Sequence, residues 1–127
     1  MAQPADFRAP LYEVKANLFK GLAHPVRIRI LERLSEAPEV SVTELLSATG
    51  LEASRLSQHL SVLRRYHLVI SERRGLQMFY ALAHPQIKAL LSVARELLQG
   101  ILHTTWNQPK DSPRGSVTNP EPPVPTE

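Results

Sequence analysis

Residues 41–80 read SVTELLSATG LEASRLSQHL SVLRRYHLVI SERRGLQMFY, and this stretch decides the fold. Thr43 to Ala48 opens with a cap-like residue and carries the apolar pair Leu45-Leu46, and Gly50 tolerates the left-handed backbone at which such a helix stops. Glu52-Ala53-Ser54 then starts a second helix running to about Tyr66. Two short helices across a glycine turn make a helix–turn–helix. Val69 to Glu72 and Met78 to Ala81 are β-prone and flank Arg73-Arg74-Gly75-Leu76-Gln77, which reads as a hairpin bent at Gly75. The expected fold class is mainly α with a small β-hairpin wing.

On the second helix Leu56, Leu60 and Leu63 fall at i, i+4 and i+7, so they stack into one buried stripe. The opposite face is Ser54, Gln58, Ser61 and Arg65, flanked by Arg55 and His59. Hydroxyls, an amide and a guanidinium are the groups that hydrogen-bond base edges or hold phosphates. Any surface helix is polar outside, so charge must decide. Between Ala53 and Gly75 five arginines (Arg55, Arg64, Arg65, Arg73, Arg74) stand against Glu72 alone, a net +4 that exceeds the +3 of the whole chain. Positive charge gathered on one helix and one hairpin points to double-stranded DNA as partner, with Arg73 and Arg74 at the hairpin tip set for phosphates.

Two motifs in this order resemble a known family. The run Phe19 to Leu31, with Leu22-Ala23-His24-Pro25-Val26-Arg27 within it, resembles the "ALA-(D/H)-P-x-R-x-x-I-L" opening of ArsR-type (ArsR/SmtB-like) bacterial repressors. Ser54 to Leu63 resembles their "S-x-x-S-x-H-L-x-x-L" recognition helix, and Leu68 through Tyr80 their wing; the resemblance spans about residues 11–104. It implies that Ser54, Ser57, Gln58 and His59 face DNA, whereas helical periodicity sets Ser57 and His59 at the flanks. His67 replaces the glycine usual at the left-handed cap, a conformation that His tolerates better than most residues.

The remainder divides simply. Residues 1–9 are expected to be a flexible N-terminus, 10–106 a DNA-binding and dimerisation domain, and 107–127 a disordered tail holding six of the eleven prolines. At 43% apolar content, 127 residues suffice for one core. There is no cysteine, which removes disulfides, thiolate metal sites and thiol sensing. No signal peptide or membrane-spanning run is evident, and the expected location is cytoplasmic.

Leu11, Val14, Leu18 and Leu22 line one side of a first helix, with Tyr12 and Phe19 beside them, and Ile87, Leu90, Leu91, Ala94, Leu97, Leu98 and Ile101 form a stripe on the last. A small core cannot cover both stripes and leave the recognition helix free. A homodimer using the two helices resolves this and sets two recognition helices about one DNA turn apart, matching a near-palindromic site; the resemblance implies the same arrangement. The family's metal ligands fare differently. Its cysteine pair would fall near Ser41 and Thr43, and its last-helix set near His84, Gln86, Leu97 and Gly100, where only His84 can ligate. Glu96 and His103 lie on one helix face and read as solvated surface. No metal or cofactor is therefore expected, and no effector is specified. Enzymatic motifs are absent. The expectation is a sequence-specific transcriptional regulator acting as a promoter-occluding repressor; the alternatives are a metal-responsive repressor with a non-standard His/Glu site or a sensor partner, and a winged-helix protein-interaction module.

Overall fold

The computed structural model describes residues 8–106. Expectations for residues 1–7 and for the tail 107–127 lie outside these. Helix α1 (Leu11–Leu22) follows Pro10, which cannot extend a helix backwards through an N–H it lacks. Helix α2 (Pro25–Leu34) begins with His24 in an extended conformation as its N-cap: its Nδ1 accepts the backbone N–H of Val26 at 3.1 Å, and Pro25 occupies the first helical position.

A two-residue strand β1 (Val40–Ser41) leads directly into α3 (Val42–Thr49). The cap of α3 is Ser41, two residues before the expected Thr43. Ser41 Oγ accepts the Glu44 N–H at 3.1 Å, and the Glu44 carboxylate accepts the Ser41 N–H at 3.1 Å, a reciprocal capping box that satisfies donors at both positions. Gly50 ends α3 at φ 70°. Helix α4 (Ala53–Arg65) follows, and His67 takes φ 62°, the left-handed conformation expected there.

Strands β2 (Val69–Arg74) and β3 (Gln77–Leu82) pair antiparallel from Val69↔Leu82 to Arg74↔Gln77. Gly75 has φ 63° and Leu76 is not left-handed, so glycine takes the first place of a two-residue turn as the II′ class requires. The hairpin is not alone: β1 joins the other edge of β3, with Val40 opposite Tyr80, so the sheet order is β1-β3-β2. Helix α5 (Gln86–Trp106) follows.

The chain divides after Ala89 into two units. In the first, Ile30, Leu31 and Leu34 of α2, Leu45 of α3 and the stripe Leu56, Leu60 and Leu63 of α4 are buried with Leu22, Val40, Leu68, Val69 and Tyr80. Ile87 is only 6% exposed and joins this core. Its place in a seam with another chain is therefore withdrawn, because a side chain already removed from water gains nothing more by association. The second unit holds α5 from Leu90 onward, where Leu97 is 64% exposed and Val93, Leu98 and Ile101 are also open to water. Among the described residues no helix is long and apolar enough to cross a membrane.

Candidate nucleic-acid interface

With its leucine stripe turned inward, α4 presents Ser54, Arg55, Ser57, Gln58, Ser61, Arg64 and Arg65 to solvent. Arg64 and Arg65 fall in its last turn, where a cation also complements the helix dipole. From α2 to the hairpin two sets of arginines stand apart. Arg27 Nε donates to the Gly21 carbonyl at 2.8 Å, Arg29 to the Ala48 carbonyl, and Arg33 pairs with Glu36 at 3.0 Å and lies 4.0 Å from Glu44. These three brace the scaffold, linking α2 to α1 and α3. Arg55, Arg64, Arg65 and Arg73 make no hydrogen bond or ion pair among the described residues, so their charge is available to a ligand.

Arg74 departs from expectation. Instead of standing at the hairpin tip for phosphate, its guanidinium makes a two-pronged pair with the Glu39 carboxylate, donates to Glu72 at 3.0 Å and lies 4.5 Å over the Phe79 ring. Hydrogen bonding to Arg74 holds the Glu39 carboxyl below its ordinary range, and Arg74 is correspondingly harder to deprotonate. Glu39 lies 35 residues away in sequence, and its neighbours Pro38 and Val40 carry no charge to advertise it. At the tip itself Leu76 is 99% exposed.

His59 stands at the flank that periodicity assigned it. It is half-buried, with its ring 4.4 Å from that of His24 and tilted by 54°. Partial burial, then the nearby His24, Arg27 and Arg55, lower its pKa from the ordinary imidazole value, so at neutral pH it is an uncharged donor and acceptor beside the cationic face. Ser57 is exposed, one step from the polar ridge.

The positions at which a metal would be expected do not fit one. Ser41 and Thr43 offer hydroxyls, and the Ser41 oxygen is already engaged in the α3 cap. Of His84, Gln86, Leu97 and Gly100 one carries an imidazole. Among the described residues no three His, Cys, Asp or Glu side chains gather closely enough to share an ion.

Comparison with known proteins places this geometry. A helix-turn-helix domain family matches residues 22–72. The chain is 55% identical over 94 residues to the HTH-type transcriptional regulator Rv0081 of Mycobacterium tuberculosis, spanning 73% of this chain and 82% of that protein. The crystal structure of Rv0081 superposes with a TM-score of 0.71 at 53% identity, covering 76% of this chain and 97% of that one. The solution structure of Mb0332 from Mycobacterium bovis, a homodimeric winged helix-turn-helix DNA-binding domain described as a possible ArsR-family regulator, superposes with a TM-score of 0.65 at 28% identity over 78% and 91% of the two chains. The transcriptional repressor BigR of Xylella fastidiosa gives a TM-score of 0.63 at 37% identity over 72% and 92%.

Proposed function

Since the chain belongs to the ArsR-type family of winged helix–turn–helix transcriptional regulators, whose members bind DNA and catalyse no reaction, we propose that it works as a homodimeric repressor occluding a near-palindromic promoter site. The observation that carries this reading is the division of its arginines. Arg27, Arg29, Arg33 and Arg74 are committed within the fold, while Arg55, Arg64, Arg65 and Arg73 carry no hydrogen-bond or ion-pair partner among the described residues and lie on the helix and hairpin that the family uses. Four like charges on one exposed face raise the local positive potential, and a polyanion is the ligand that such a face concentrates. These four supply phosphate affinity. Ser54, Ser57, Gln58 and Ser61, with His59 at the edge, choose the sequence through base-edge hydrogen bonds.

Residues 10–106 form the DNA-binding and dimerisation domain. Leu11, Tyr12 and Phe19 of α1 and Leu97, Leu98 and Ile101 of α5 leave two apolar surfaces open to water, more than a monomer keeps without cause. A second copy of the chain covers them, as the homodimeric state of Mb0332 suggests. The relatives include the repressors PagR and BigR and the activator HlyU; a dimer seated across a promoter excludes polymerase, and occlusion is the mode proposed for this chain. The test is footprinting on the chain's own promoter beside sedimentation of the free protein. Two protected half-sites one helical turn apart, bound by a dimer that blocks polymerase, are the expected result; a single asymmetric footprint from a monomer overturns it.

A further inference from the structure

Arg74 ends β2 and Glu39 precedes β1, yet these strands are not neighbours, because β3 lies between them. Adjacent strands sit about 4.8 Å apart, so the Arg74 side chain crosses the width of the sheet to reach Glu39. Phe79, on the intervening strand and opposite both Glu72 and Ser41, provides the surface on which the guanidinium travels. Glu72 takes a further N–H from the same group. One cation thus faces two carboxylates, and the cluster is net negative next to the turn of a hairpin otherwise read as basic.

We infer that Glu39 is a positioning residue that sets the overall strength of DNA binding: it withholds Arg74 from the duplex and ties the wing to the strand that feeds the helix–turn–helix. This rests on the DNA-binding function set out above and extends it. A free arginine on the wing adds a phosphate contact to any sequence, because phosphates carry no base information. Such a contact is common to right and wrong DNA, so withholding it lowers the affinity for every duplex and leaves the difference between them unchanged. The two-pronged geometry suits this task, since a planar guanidinium held at both prongs has one orientation. It also sets where the hairpin stands against α3, whose cap Ser41 lies two residues beyond Glu39.

The test is a salt titration of duplex binding for the wild-type chain, Glu39→Gln, Arg74→Ala and the double variant, using one random-sequence duplex and one promoter duplex. Each protein is first checked for a cooperative melt. Arg74→Ala is expected to leave the random-duplex affinity within about 2-fold and the slope of log K against log salt unchanged, since the removed cation was not touching phosphate. Glu39→Gln releases Arg74, which steepens the slope by about 0.9 and raises random-duplex affinity by roughly 5–10-fold at 0.1 M salt, one additional counterion being displaced. In the Arg74→Ala background the same substitution should do nothing. A slope flattened by Arg74→Ala alone overturns the inference, as does an unchanged slope in Glu39→Gln. An effect of Glu39→Gln that survives in the double variant also overturns it, because the carboxylate then acts by its own repulsion. If Glu39→Gln does not melt cooperatively, the swapped pair E39R/R74E takes its place, with the wild-type slope expected and a steeper one overturning the inference. Absence of any salt-dependent binding by the wild-type chain is a different failure, that of the DNA-binding function itself.

Discussion

Cγ of Tyr66 stands 2.5 Å from the point where a β-carbon on Gly21 would sit, with both Cδ atoms of the ring at 2.9 Å. The end of α1 and the end of α4 therefore meet at a spot that has room for a hydrogen and no more. Two effects of Gly21→Ala oppose each other. Alanine is the better helix former by about 1 kcal/mol, and Gly21 lies in the last turn of α1, where that gain is at its smallest. Overpacking costs about 1–3 kcal/mol, and the obstructing atom is the root of the ring, which cannot swing aside as a chain end would. Gly21→Ala should therefore lower stability in urea unfolding by about 1–2 kcal/mol. A more stable variant would mean that α1 and α4 do not approach this closely.

How much of this was legible in the chain follows from how local each signal is. The stripe Leu56, Leu60 and Leu63, the stop at Gly50 and the turn at Gly75 are written in neighbouring residues, and each stands where periodicity or backbone chemistry put it. Strand β1 was missed because two residues are too short to show alternation; it exists only through its partner β3. The reassignment of Arg74 has the same origin. Its charge was counted from composition, while the carboxylate that captures it sits on a strand edge that pairing alone brings within reach. Ile87 belonged by spacing to the long α5 stripe, and nothing in a helical period marks where one helix leaves its own core.

For base reading, Gln58 is the best-equipped choice: it is exposed, with both a donor and an acceptor on one planar amide and no partner among the described residues. Gln58→Ala is expected to weaken binding to the promoter duplex by about 1–3 kcal/mol and to leave a random duplex nearly untouched. Equal losses on both would reassign Gln58 to the backbone.

Arg73 is left as the outward cation of the wing. Replacing it with alanine should weaken all duplexes alike and reduce the salt slope by about 0.9, the loss of one phosphate contact. A slope that stays the same would show that the hairpin does not reach the DNA backbone.

Leu97 and Ile87 lie on the same helix and should respond in opposite ways to the same substitution. Leu97→Glu introduces a charge into the proposed seam, where burial without a partner costs several kcal/mol, and sedimentation should report folded monomers. Ile87→Glu places its charge in the protomer's core and should abolish the cooperative melt instead. A chain ending at Trp106 should remain a dimer. If that truncation dissociates the protein and Leu97→Glu does not, the seam belongs to the residues beyond α5.

Protonation of His59 links stability to pH in a definite direction. Partial burial, together with His24 and Arg27 of α2 and Arg55 of α4, disfavours its charged form in the folded chain, while the unfolded chain takes up the proton at about pH 6.5. Above that value His59 is neutral in both states and the fold carries no penalty. As pH falls through the window beneath it, the unfolded state binds a proton that the folded state refuses, and stability declines. Glu39 acts in the same sense but lower, its contribution being present above the ordinary carboxylate range and lost beneath it, so melts at pH 7.0 and 5.5 separate the two. The wild-type melting temperature should drop between these pH values by more than that of His59→Gln. If His59→Gln loses as much stability on acidification as the wild-type chain, the proton is not taken up at the recognition helix and this reading of His59 is overturned.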